Sequence, residues 1–176
     1  MAEALTPRGR ALRWLTNHRG LTEQPPGSNT DTRADGIRTA QRKLGDWLVG
    51  QAWCGVWACN AALAGGVKID KPWLWASVYY IEQDARAHRN GFRGWTRDPR
   101  VVLRGDLVVL FGRGVHVGTV REIKPIRPWR PYRVIVTDEG NTSSGNAGSQ
   151  DNGGGAFRRE RRMRDVYGFA LVDFPG

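Results

Sequence analysis

Apolar and polar positions follow two different rhythms in this chain. In the first half apolar residues recur every three or four positions, as on one face of a helix, and in the second they alternate or cluster, as in strands. Thr6 and Pro7 form an N-cap and first-turn pair, Ala11, Leu12, Trp14 and Leu15 make an apolar stripe, and Gly20 closes it, which predicts a first helix. Pro25-Pro26-Gly27-Ser28-Asn29 predicts a loop, because two prolines, a glycine and side chains that bond back to the backbone oppose regular structure. A short helix is expected over 36–44, with Asp35 as its cap. Residues 54–63 are mostly apolar around the circumference and end at Gly65-Gly66, the pattern of a buried central helix. Asp70 and Pro72 open a fourth helix on which Leu74, Val78, Ile81 and Ala85 recur, ending near Gly91.

Five β-rich stretches follow, at 107–111, 115–121, 133–138, 157–163 and 167–174, separated by glycine, proline or charged punctuation. Helices first and an antiparallel meander of about five strands afterwards predict an α+β fold, with the helix that carries Cys54 packed on the sheet. The 176 residues are about the size of one domain, so 1–176 is read as a single catalytic domain. The segment 140–155 holds six glycines besides several serines and asparagines, and is expected to be a loop between two strands.

Candidate chemistry starts from a thiol. Cys54 stands in the first turn of the central helix, where free N–H groups and a partial positive charge lower a thiol's pKa. Cys59, deeper in the same helix, reads as a small buried hydrophobe. Five residues apart on one helix, the two side chains diverge, so no disulfide is expected between them. His116 lies in Val115-His116-Val117, where strand alternation sends its ring to the face opposite both valines. His18 and His88, near helix ends, have no assigned role. Glu139 and Asn141 are two apart and would share one side of an extended backbone, so either could hold the imidazole in the tautomer that faces sulfur. Asn141-Thr142-Ser143 also matches a glycosylation sequon, read as accidental in a chain without a secretion signal. Two cysteines without a Cys-x-x-Cys, three histidines and no Asp-x-Asp-x-Asp loop leave no expected metal and no cofactor.

The ordered segments Glu23-Gln24-Pro25-Pro26-Gly27-Ser28-Asn29, Gln51-Ala52-Trp53-Cys54-Gly55, Gly105-Asp106-Leu107-Val108, Val115-His116-Val117-Gly118 and Glu139-Gly140-Asn141-Thr142 together resemble the CHAP family. These are cysteine, histidine-dependent amidohydrolases/peptidases of papain-like, NlpC-type fold, common in bacteriophage endolysins and bacterial wall-remodelling enzymes. The resemblance covers nearly the whole chain. It implies Cys54 as nucleophile, His116 as general base and then acid, and Glu139 with Asn141 as orienting groups. Gly55 stands where many relatives carry alanine, and the aspartate-rich calcium loop of some relatives is missing.

The implied substrate is peptidoglycan, cut by an amidase or endopeptidase through a thioester on Cys54. The Cys54 N–H is the obvious oxyanion donor and Gln51 a candidate second one, while Trp53, Trp73, Trp75 and Asn29 are candidate substrate contacts. A net charge of +10, carried by 23 arginines and 4 lysines, favours anionic wall polymers, and equally other polyanions. A basic module that binds nucleic acid or the wall, with a structural Cys54, is the non-enzymatic alternative, and acyl transfer from the same thioester is a third. No specific nucleic acid and no partner chain are expected, so the protein is read as a monomer. The start of the chain lacks a signal-peptide layout and no run reaches the roughly 18 apolar residues of a membrane span. Synthesis in a host cytoplasm and action on the wall after release is the corresponding expectation.

Overall fold

The computed structural model describes residues 6–126, 133–144, 149–150 and 152–176. The start of the chain, on which the expectation about a leader rests, and part of the 140–155 loop lie outside the described residues. Four helices, Pro7–Asn17 (α1), Ile37–Leu44 (α2), Cys54–Ala64 (α3) and Val78–Arg86 (α4), pack on a six-stranded antiparallel sheet. Its strands are Phe92–Thr96 (β1), Leu107–Leu110 (β2), His116–Lys124 (β3), Val134–Thr142 (β4), Gly155–Arg162 (β5) and Val166–Val172 (β6). The spatial order is β1-β6-β2-β3-β4-β5. Strands β2 to β5 thus run as four strands of the expected meander, but the fifth expected strand, β6, crosses back to pair with β2 and not with β5.

The sixth strand is the one the sequence pattern did not disclose. Phe-Arg-Gly-Trp-Thr is short, interrupted by Gly94, and lies on the sheet edge against β6 alone, with a register shift between Phe92 and Gly94. Such an edge strand needs no alternation and leaves no strong signal. The expected fourth helix also divides: Pro72–Ala76 is a 3-10 turn, and α4 begins after Ser77. At α2 the side chain that meets the free backbone N–H is Asp31, which accepts from Arg38 N at 3.1 Å. Asp35 instead pairs with His18 Nε2 at 3.1 Å. At α1 the cap is as expected, Thr6 Oγ1 accepting from Gly9 N at 3.1 Å.

The pleat of β2 explains the two-sided core. Leu107 and Val109 face the helices and join Leu15, Val56, Trp57, Ile81 and Val117 in the main cluster. Val108 and Leu110 face the other way, with Val120, Ile135 and Phe169. Helix α3 sits at the centre, touching α1, β3 and β4, and is buried along nearly its whole length. Each fully buried large aliphatic contributes about 1.5–3 kcal/mol, so α3 is anchored far more strongly by burial than by its end caps. That anchoring fixes Cys54 against the strands that carry His116 and Glu139.

Candidate active site

Cys54 is the first residue of α3 and is buried, 5% exposed. The helix start is pressed so tightly on the Pro72–Ala76 turn that a Cβ at residue 55 would stand 1.9 Å from the Trp75 carbonyl oxygen. Glycine at 55 is therefore a steric requirement here. The sulfur meets the Gly55 N–H, at the helix end, and the Val117 N–H, from β3.

His116 opens β3 and is fully buried. Its Nε2 lies 3.0 Å from Glu139 Oε2. An ionised carboxylate only accepts, so Nε2 carries the proton and Nδ1 is left for the thiol. Nδ1 finds no partner of strict hydrogen-bond geometry, yet ring and sulfur interact closely enough to shift each other's ionisation.

Glu139 is held on every side. Arg161, from β5, grips it with two bonds, Nε to Oε1 at 2.8 Å and Nη2 to Oε2 at 2.5 Å, and Thr137 Oγ1 donates to Oε1 at 2.5 Å. Gly118 on the neighbouring strand makes the space: a Cβ there would meet Glu139 Cγ at 2.7 Å. Arg161 in turn donates to Thr142 Oγ1 at 3.1 Å and Gln150 Oε1 at 2.9 Å, and its guanidinium lies 5.1 Å from the centre of the Phe111 ring.

Charge follows from this geometry. Burial pushes the Glu139 carboxyl up, but the Arg161 bonds and His116 outweigh it and hold the group down at about 2. Burial likewise pushes the His116 imidazolium down, and the Cys54 and Glu139 partners overcome it, raising it to about 10. For Cys54, burial raises the thiol, while His116 and the N–H groups of Val117 and Gly55 bring it below its ordinary 9.0. The favoured charge state is a thiolate–imidazolium pair backed by a carboxylate. Cys59 lacks all of this: burial pushes its thiol up, and it donates to the Pro72 carbonyl at 3.6 Å.

Asn141 does not share Glu139's side. A bulge separates Glu139 from Thr142 in the β4–β5 ladder, and Asn141 takes a left-handed φ of 56°, which undoes the expected alternation. Its buried amide lies beside Asn152 Oδ1 at 3.0 Å and, with oxygen and nitrogen exchanged, donates to Gly153 O at 2.7 Å and Glu23 Oε1 at 3.3 Å. Between the two candidates, Glu139 alone touches His116. Burial of Asn141 also closes the sequon to modification.

Trp53 and Trp75 are fully buried, and this corrects their reading as sugar-stacking residues. Trp53 donates to Glu23 Oε1 at 3.0 Å and its ring fills the space beside Gly140, while Trp75 stacks on Phe92. Trp73, 42% exposed, does reach a cleft of about 380 Å³ that has Cys54 in its wall, and so does exposed Gln51. Asn29 does not line that cleft; its carbonyl accepts from Gln41 Nε2, which also donates to the Gln51 carbonyl and ties the two loops together.

Sequence reasoning missed Arg161, Trp47 and Tyr80. Arg161 stands in an arginine-rich run with Arg158, Arg159, Arg162 and Arg164, where no motif singles out one side chain. The strand period separates them, since 159 and 161 point inward and 158, 160 and 162 outward. Trp47 and Tyr80 join Trp73 around the cleft from outside the motif segments. Among the described residues, no group of three or more His, Cys, Asp and Glu side chains is arranged to hold a metal ion. Comparison with protein-family models, curated proteins and solved structures finds no match.

Proposed function

We propose that this chain is a cysteine-dependent amidohydrolase or peptidase of the CHAP kind, on a papain-like plan, that cuts an amide bond in bacterial peptidoglycan. The observation that carries the reading is the buried line Cys54, His116, Glu139, Arg161, whose His116–Glu139 bond is 3.0 Å long. In it the Cys54 thiolate attacks the carbonyl carbon and forms a tetrahedral oxyanion that the Cys54 N–H, with Gln51 as second donor, stabilises. The C–N bond then breaks as the His116 imidazolium gives its proton to the leaving amine. Water, deprotonated by His116, attacks the thioester carbonyl, the C–S bond breaks, and the carboxylic acid product leaves the thiolate–imidazolium pair restored. Glu139 keeps the imidazole oriented and stabilises its charged form, and Arg161 keeps Glu139 ionised in place.

Exposed Trp47, Trp73 and Tyr80 around the cleft support binding of a glycan-linked substrate, since aromatic faces suit the apolar faces of sugar rings. Within this reading a role as a bacteriophage lytic enzyme follows from the motif resemblance. Incubation with purified Gram-positive or actinobacterial walls tests it: the wild type thins the walls and releases new amines, and Cys54→Ala, folded as judged by circular dichroism, does not. Undiminished clearing by that variant contradicts the mechanism.

A further inference from the structure

A second and larger cleft, about 680 Å³, shares no lining residue with the one at Cys54. Its floor is one face of α1, with Thr6, Arg13 and Thr16, and its walls include Arg8, Arg104 and Arg121. No carboxylate lines it. Two of the four arginines are built into the fold: Arg8 bonds Asp106 at 3.0 Å and Arg121 bonds Asp138 at 2.5 Å, and Arg121 also donates to Thr16 Oγ1 at 2.9 Å. Arg13 and Arg104 are exposed and have no ion-pair partner among the described residues. Asp106 and Asp138 offset the charge of the two anchored guanidinium groups, which shape the concave site, while Arg13 and Arg104 supply its uncompensated positive charge.

We propose that this cleft binds a phosphodiester-linked polyol or sugar polymer of the cell wall, holding the protein on its substrate from a site separate from the nucleophile. The identification of the wall as the source rests on the hydrolase reading; the anion chemistry does not. Guanidinium forks match phosphate oxygens, and the threonine hydroxyls suit neighbouring polyol hydroxyls. The cleft contains no aromatic side chain on which a base could stack, and single-stranded nucleic acid sites depend on such platforms. That composition favours a polymer of phosphates and hydroxyls over nucleic acid.

The test uses full-length Cys54→Ala protein, so that binding is read without cleavage, in sedimentation with walls carrying phosphodiester polymers and with the same walls after hydrogen fluoride stripping. Retention on intact walls is expected to exceed that on stripped walls by about tenfold or more at low salt, and Arg13→Glu with Arg104→Glu abolishes the excess. The same charge reversal in the Cys54 protein leaves cleavage of stripped walls unchanged. Equal retention on both walls, or an excess that survives the charge reversal, overturns the proposal. So does a loss confined to a single-stranded oligonucleotide, which reassigns the cleft to nucleic acid. Failure of the hydrolase reading shows separately, as stripped walls that neither protein cuts.

Discussion

Cys54 and Cys59 lie on one helix five positions apart, both buried and both without a disulfide, and they differ in almost everything that governs reactivity. Cys59 meets one carbonyl and little else that is polar, so burial raises its thiol and the charge of Lys43 offsets this only in part. Cys54 meets two N–H groups and an imidazolium, and these reverse the effect of burial. Burial therefore predicts nothing about a thiol until its partners are named. A helix start supplies one partner, and the sheet behind it supplies the others.

The largest test of that contrast is a pair of alanines. Cys54→Ala is expected to lower wall cleavage by at least about 10⁴-fold, while Cys59→Ala leaves the rate within about twofold and costs roughly 1 kcal/mol of stability by denaturant titration. Next comes the pair on β4. Glu139→Gln is expected to lower kcat by roughly 10²–10⁴-fold, because a neutral amide neither fixes the tautomer nor stabilises the imidazolium. Asn141→Ala, which touches the Glu23 and Gly153 side, mainly lowers the melting temperature; a kcat loss as large as that of Glu139→Gln would restore Asn141 as an orienting group. Arg161→Met leaves Glu139 buried without its cation, at a cost of about 3–5 kcal/mol, and shifts the pH profile of kcat besides. A fall in stability with an unmoved pH profile would make Arg161 structural only. The smallest change is Gly55→Ala, one methyl group, expected to cost about 1–3 kcal/mol by overpacking against the Trp75 carbonyl.

The pH dependence of stability carries the same signature. His116 is raised from 6.5 to about 10, so its contribution is complete below 6.5 and is lost as pH rises toward 10. Glu139 is lowered from 4.5 to about 2, so its contribution is complete above 4.5 and is lost as pH falls toward 2. Removing the Cys54 sulfur takes away one of the two groups that hold His116 up, and in Cys54→Ala the imidazole titrates at lower pH, measurable by NMR.

Much of this was legible from residues alone. The helix over Cys54, the meander and the order of Cys54, His116 and Glu139 all follow from period and motif, because a buried helix and alternating strands write themselves into the pattern of apolar positions. What stayed hidden depended on pairing across strands. The bulge that turns Asn141 away from Glu139 has no local signature, and Arg161 reaches Glu139 only because β5 is paired to β4 in one register. Trp53 and Trp75 were misplaced for a related reason: an aromatic beside a motif looks the same in sequence whether it lines the cleft or fills the core beneath it.

Alkylation by iodoacetamide, followed site by site with peptide mass spectrometry from about pH 5 to about pH 10, tests the poised thiolate most directly. Cys54 is expected to react at pH values well below the ordinary thiol range, with Cys59 unmodified in the folded protein and Glu139→Gln moving the Cys54 profile upward. A Cys54 that reacts only near 9 and above, or no faster than Cys59, would contradict the thiolate–imidazolium pair on which the proposed chemistry stands.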